Sequence, residues 1–218
     1  MSVFGKKLYF RDSEIDRMCL EALKKGGFYP GAPAAIDIES FVESYFETNL
    51  DMGSDVGDGV LGWTLFDKKG AIKVVGVSSR LAGDTSQIGL RRCRATVAHE
   101  AGHCLMHPIL FMEDTAQLFE NIDFEQRRIL CRKEDIAGKY NGRWWEVQAN
   151  KAIGGFLLPR ALVISSVQHL MKPAGLLGMP SLLPEDRQAA ISHVAETFEV
   201  NLKPAEIRLA AIFPAEAS

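Results

Sequence analysis

Thr96-Val97-Ala98-His99-Glu100-Ala101-Gly102-His103-Cys104-Leu105-Met106-His107 is the stretch whose reading decides the rest of the chain. It contains His-Glu-x-x-His. Residues four apart on a helix lie one turn above each other, so His99 and His103 project from one face. Two imidazoles stacked in that way can both reach one metal ion at about 2.0–2.1 Å. Glu100 lies roughly a quarter-turn round. That position suits a base taking a proton from a metal-activated water better than it suits a third ligand.

The flanks support a buried helix. Ala95, Val97, Ala98, Ala101, Cys104, Leu105 and Met106 are small or apolar, and Pro108 stops the run. Gly102 costs about 1 kcal/mol of helix propensity relative to alanine, so a glycine there predicts something packed closely against the helix beside the metal. A pattern with three fixed positions also arises by chance, and two packing histidines are the competing reading. The choice rests on a third ligand downstream.

Trp144 to Pro159 reads as a second buried helix ending before proline, with Trp145, Ala149, Ala152, Ile153 and Phe156 on an apolar face. Glu146 stands on it, one turn before Asn150. A carboxylate on so apolar a helix needs a partner. A metal ion is one; an arginine or a surface position are the others. His99, His103 and Glu146 would give His₂Glu with an open fourth position, the ligand set of catalytic rather than structural zinc. His107 and Glu113 are rival third ligands. His107 falls two turns past His99, but Pro108 follows at once. A metzincin would need its third histidine where this chain has Ile109. Glu146 is preferred.

Upstream, Ser13 can cap a helix through Ile15, Met18, Cys19, Ala22 and Leu23, which Gly26-Gly27 ends. A turn follows at Pro30 to Pro33. Asp37 opens an amphipathic helix with Ile38, Phe41, Val42, Tyr45 and Phe46 on one side. Asp51 to Gly59 reads as a solvated loop, since its carboxylates lack the order of an EF-hand. Val60–Phe66 and Ala71–Ser78 form a hairpin about the turn Asp67 to Gly70 and lead into the metal helix. A strand edge near Leu65 and Val74 could pair with an extended peptide. Arg91, Arg92 and Arg94 read as a salt-bridged helix start rather than a docking patch for acidic segments. Cations are disfavoured near a helix N-terminus, which predicts carboxylate partners nearby. Ile129-Leu130-Cys131 reads as a short strand. Beyond Pro159, Leu162–Met171 is a helix, Pro173–Pro184 a loop, and two further helices flank Val200 to Leu202. That pair could be a helix-turn-helix DNA reader. With few base-reading side chains beyond Lys203 and Arg208, a structural pair is preferred.

The 218 residues suit one domain or one with a small appendage, and 47% are hydrophobic, enough for a core. A formal charge of −3 implies no general nucleic-acid affinity. Met1 to Asp16 has no apolar segment of signal-peptide type, and no run approaches the roughly 20 residues of a membrane span. Cys19, Cys93, Cys104 and Cys131 lack Cys-x-x-Cys spacing, so reduced thiols in the cytoplasm are expected. Cys104 is a conceivable metal ligand, but a packing role is preferred.

Arg94-Ala95-Thr96-Val97-Ala98-His99-Glu100-Ala101-Gly102-His103, together with Glu146-Val147-Gln148-Ala149-Asn150 through Leu157-Leu158-Pro159, resembles the paired motifs of the ImmA/IrrE-type zinc metallopeptidases. Pro33 to Phe46 is similar to the family's helix before its hairpin, and Val194 to Val200 through Arg208-Leu209 to its ending. Ala95, Ala152-Ile153, Leu158 and Asn201 depart from the pattern, and the stretch from His107 to Arg143 is long. None removes a metal ligand. The resemblance implies His99, His103 and Glu146 as ligands of Zn²⁺, Glu100 as catalytic base, and a helix-turn-helix repressor as the protein substrate.

The expectation is an α+β chain with a zincin-like fold, a small sheet packed on the His-Glu-x-x-His helix. Residues 1–160 would form the metallopeptidase domain and 161–218 a helical C-terminal region. It would be a cytoplasmic zinc endopeptidase, with Tyr140, Arg143 and His107 as candidate oxyanion donors. The alternative is a non-proteolytic regulatory module that binds a repressor or DNA and holds a structural metal.

Overall fold

The fold was obtained as a computed structural model, which describes residues 9–111, 128–132, 143–174 and 179–214. It is an α+β fold. Helix α1 (Asp12–Gly26) opens it and α2 (Ile38–Phe46) follows. The first cap differs from expectation. Arg11, not Ser13, is the capping position, and the Glu14 carboxylate accepts the Arg11 backbone N–H at 2.8 Å. Asp37 caps α2 as its sequence position predicts, accepting from the Ser40 backbone N–H at 3.1 Å. Ile15, Cys19 and Leu23 of α1 and Ile38, Phe41 and Val42 of α2 are fully buried, as their helical spacing requires.

Four strands form the main sheet: β1 (Asn49–Asp51), β2 (Val60–Phe66), β3 (Ile72–Val77) and β4 (Arg128–Arg132), in the order β1-β3-β2-β4. The predicted hairpin is β2–β3, with Thr64 opposite Val75. Two expectations are corrected. Asn49–Asp51, whose Asp51 was assigned to a solvated loop, pairs in parallel with β3. Leu65 and Val74 lie on the interior strands, each flanked on both sides, so neither offers an edge. The outer strands among the described residues are β1 and β4.

The hairpin reaches the helix that bears His99 and His103 through a short helix, α3 (Ser79–Ala82). Helix α4 (Gln87–Met106) then begins where the Ser86 hydroxyl accepts the Gly89 backbone N–H at 3.0 Å. It ends at His107, before a 3₁₀ turn at Pro108–Phe111. The arginine cluster therefore lies inside its first turns. Arg91 pairs with Glu196 at 2.9 Å, and Arg94 approaches Glu39 and Glu199 while donating to the Ile36 carbonyl at 2.9 Å. The predicted carboxylates are present.

Helix α5 (Trp144–Leu157) packs along α4. The fit is set by Gly102: a Cβ there would stand 2.7 Å from the Cβ of Ala152 and 3.2 Å from the Cα of Ala149. This is the close packing that the glycine predicts. Helix α6 (Arg160–Val167) and a 3₁₀ turn follow, then a two-stranded hairpin, β5 (Lys172–Ala174) with β6 (Met179–Ser181), inside the segment expected to be a loop. Helices α7 (Arg187–Thr197) and α8 (Leu202–Ile212) close the chain. Arg208 donates to the Leu158 carbonyl at 2.8 Å and to both Asp16 oxygens at 2.9 and 3.0 Å. It ties α8 to α1 and to the end of α5, which withdraws it from any base-reading role. One hydrophobic core runs from Phe10 to Phe213. A smaller one, Phe66, Leu110, Ile129 and Trp145, lies beneath β2 and β4.

Among the described residues no single helix is long and apolar enough to cross a membrane.

Candidate metal centre

His99 and His103 on α4 and Glu146 on α5 converge at the crossing of the two helices. His99 Nε2 lies 3.0 Å from His103 Nε2 and 3.0 Å from Glu146 Oε2, and His103 Nε2 lies 3.5 Å from the same oxygen. All three are buried, the histidines fully and Glu146 at 3% exposure. One ligand atom from each lies within 4.8 Å of the others, so the cluster could hold a metal ion. Glu113 and Tyr140 fall outside the described residues.

The partners on the far side of each ring decide what the cluster presents. His107 Nε2 donates to the Gln148 side-chain carbonyl at 3.2 Å. Burial and the neighbouring His103 push His107 well below the ordinary histidine range, so it is neutral and its Nδ1 can only accept. His103 Nδ1, 2.9 Å away, is then the donor, and its Nε2 carries a lone pair. His99 Nδ1 donates to Asn150 Oδ1 at 3.0 Å, so its Nε2, which faces Glu146 and shares a proton with it when no cation is present, is the nitrogen left to bind one. Two imidazole nitrogens and a carboxylate oxygen thus face one another at 3.0–3.5 Å. Three acceptors at that separation repel unless positive charge lies between them. Orienting a ligand histidine through its other nitrogen is what metal sites commonly do.

The acid–base behaviour follows. Burial alone would lower His99, but the Cys131 thiol and the Glu146 carboxylate outweigh it, and His99 is raised well above 6.5. Burial alone would raise Glu146, yet His103 and His99 hold it well below the usual carboxylate range. The triad keeps a carboxylate beside a proton where a cation would fit. Two buried imidazole nitrogens with fixed tautomers and a buried carboxylate are a donor set suited to a divalent transition ion.

Glu100 lies beside this triad. Its Oε2 accepts from the Thr64 hydroxyl at 2.7 Å. Its Oε1 is buried with no hydrogen-bond partner among the described residues. Room for that oxygen comes from Gly62, where a Cβ would stand 2.8 Å from Oε1 and 2.6 Å from the Thr96 methyl. Burial raises the Glu100 carboxyl to about 8, against the opposing pull of His99 and Thr64.

His107 is placed behind His103 rather than in the ligand cluster, where it holds that ring. Arg143 occupies the N-cap position of α5 without a side-chain capping hydrogen bond. Cys104 belongs to the hydrophobic core, whereas Cys131 reaches the site: its thiol, an imidazole nitrogen of His99 and a Glu100 oxygen lie within 4.8 Å of one another. Sequence reading also left Gln148 and Asn150 without a role. Asn150 follows Glu146 by four residues, a spacing that puts both on one helix face, and they grip opposite nitrogens of His99. The chain matches no family model and no curated protein.

Proposed function

We propose that the chain is a zinc-dependent endopeptidase with a zincin-like fold, related to the ImmA/IrrE-type enzymes that its motifs resemble. The observation that carries this reading is the convergence of the His99 and His103 Nε2 atoms and the Glu146 carboxylate, with a further buried carboxylate, Glu100, beside them. Three protein ligands with a neighbouring carboxylate make a catalytic rather than a closed structural set. His99, His103 and Glu146 would hold the zinc, which when bound polarises a scissile carbonyl and acidifies water.

The remaining chemistry belongs to the chain. Asn150 and the His107–Gln148 relay keep the ligand nitrogens turned inward. Thr64 steadies one oxygen of Glu100 and leaves the other for a proton. A carboxyl raised by burial returns toward its charged form beside a cation, and such a group can take a proton from water and pass it to a leaving amine. By the same resemblance the substrate is a helix-turn-helix repressor in the cytoplasm. The alternative, a DNA- or repressor-binding module with a structural metal, loses one of its two candidate contacts to the Arg208–Asp16 pair.

The test is metal content and cleavage together. Purified wild type should carry about one zinc per chain, and His103→Ala and Glu146→Ala should lose it. Glu100→Gln should keep both metal and fold while abolishing cleavage of a co-expressed repressor. Zinc retained in Glu146→Ala would overturn the ligand set, and cleavage undiminished in Glu100→Gln would overturn the mechanism.

A further inference from the structure

Two donor clusters share His99. One is His99, His103 and Glu146; the other is His99, Glu100 and Cys131. Cys131 comes from β4, far from either helix in sequence, and the sheet register delivers it. It pairs with Gly62 of β2, while Ile129 pairs with Thr64. Residues paired directly across an antiparallel ladder point to one face. Gly62 and Thr64 both face α4, because a Cβ at Gly62 would strike Glu100 and Thr64 donates to it. Cys131 therefore faces α4 at the place where Gly62 has no side chain. It is fully buried, and its sulfur lies within 4.8 Å of a His99 ring nitrogen.

A second observation at the same place is the Glu100 Oε1, fully buried and without a partner among the described residues. A thiol and an unsatisfied carboxylate oxygen thus crowd a histidine whose other neighbours are already arranged for a cation. The site is also closed. His99, Glu100, His103 and Cys131 are all fully buried, so a peptide bond would reach them only after part of the surrounding structure moved.

Building on the endopeptidase reading, we infer that Cys131 is a fourth donor to the same metal ion and that the resting enzyme is latent. Two imidazoles, a carboxylate and a thiolate complete a tetrahedral set of the closed kind. The thiol proton is released as the sulfur coordinates. No oxidation is involved. Opening would then consist of withdrawing β4, an outer strand paired only with β2 among the described residues, so that the thiolate leaves the metal and the place it held becomes available.

Cobalt(II) tests this on the whole protein, because thiolate coordination to cobalt gives an intense near-ultraviolet charge-transfer band that imidazole and carboxylate do not. Wild type loaded with one cobalt per chain should show the band. Cys131→Ser should still bind cobalt, at least tenfold more weakly, and lose it, and Cys104→Ser should keep it. Stoichiometric cobalt binding in wild type without the band would overturn the fourth donor and leave the His₂Glu reading intact. A band that survives in Cys131→Ser would also overturn it. Failure of wild type to bind cobalt at all would overturn the endopeptidase reading itself. The wild-type spectrum decides the matter even if Cys131→Ser fails to fold.

Discussion

Gly102→Ala adds one methyl group where α4 crosses α5. The new carbon would stand 2.7 Å from the Cβ of Ala152, 3.2 Å from the Cα of Ala149 and 3.4 Å from the Ala149 carbonyl oxygen. Carbon–carbon contacts settle at about 3.5–4.0 Å, so the helices must part by about 1 Å. None of the three atoms can rotate away, since each belongs to the backbone or is fixed to it. Intrinsic propensity favours alanine by about 1 kcal/mol, while overpacking costs about 1–3 kcal/mol. The steric effect outweighs the propensity gain here, and a net loss of about 1–2 kcal/mol is expected. Gly154→Ala is the control. It lies in the same helix pair, but its nearest obstacle is the Arg208 side chain at 3.5 Å, so stability should rise by up to about 1 kcal/mol.

Metal affinity reads the same displacement a second way. Parting the helices carries Glu146 away from His99 and His103, so Gly102→Ala should bind cobalt or zinc more weakly and Gly154→Ala should not. Adding Ala152→Gly to Gly102→Ala removes the nearest obstacle and should restore affinity, although the second glycine itself costs about 1 kcal/mol of helix propensity. Urea unfolding of the metal-free proteins and titration calorimetry provide the two readouts. Gly102→Ala with wild-type stability and wild-type affinity would refute the reasoning, because the helix crossing would then be too loose to place Glu146.

Three further outcomes are expected. Asn150→Ala frees the His99 ring from its donor–acceptor partner and should lower metal affinity by about 10–100-fold in the same titration; unchanged affinity would remove Asn150 from tautomer control. Arg208→Leu leaves the Asp16 carboxylate and the Leu158 carbonyl without their donor. Because the Asp16 side chain is 29% exposed, the expected loss in urea unfolding is about 2–3 kcal/mol rather than the full cost of a broken buried pair, and a loss near zero would count against it. Burial, opposed in part by its own backbone contact and by Arg94, holds the Glu39 carboxyl above its ordinary 4.5. The folded chain binds that proton more tightly than the unfolded chain, so the contribution is full below 4.5 and is lost as pH rises through the raised value. Glu39→Gln should therefore gain on wild type in thermal unfolding between acid and neutral pH, and a parallel pair of curves would contradict this.

Local patterns were the legible part of the sequence. The His-Glu-x-x-His helix, the apolar helix bearing Glu146, the β2–β3 hairpin and the Asp37 cap each follow from residues within one or two turns of each other. Gly102 disclosed a close helix contact because only a missing side chain explains it. What the sequence hid depends on pairings between distant residues. β1 has three residues and no periodicity of its own, and it exists because β3 offers a parallel partner. The same holds for β5 and β6, read as a loop on account of their prolines. Cys131 looked like any buried strand cysteine until the ladder set it opposite Gly62. Cys104, beside His103 in sequence, turns into the hydrophobic core instead, because adjacent helix positions point about 100° apart. The arginines of α4 were recognised as needing carboxylates, but which ones depended on where α2 and α7 came to rest.

The triad draws its donors from two helices, with Glu146 more than forty residues beyond His103 in the chain, and it does so in a protein whose four cysteines are all unpaired. A metal held there would be a cross-link as well as the reactive centre proposed above. By the chain-entropy model that describes disulfides, closing a loop of about 43 residues restricts the unfolded chain by roughly 4 kcal/mol, a sizeable share of the 5–15 kcal/mol typical of a folded domain. Loaded with metal, the molecule is clasped; stripped of it, the same molecule is a softer target for unfolding and degradation. The cellular lifetime of the protein would then track the supply of the ion.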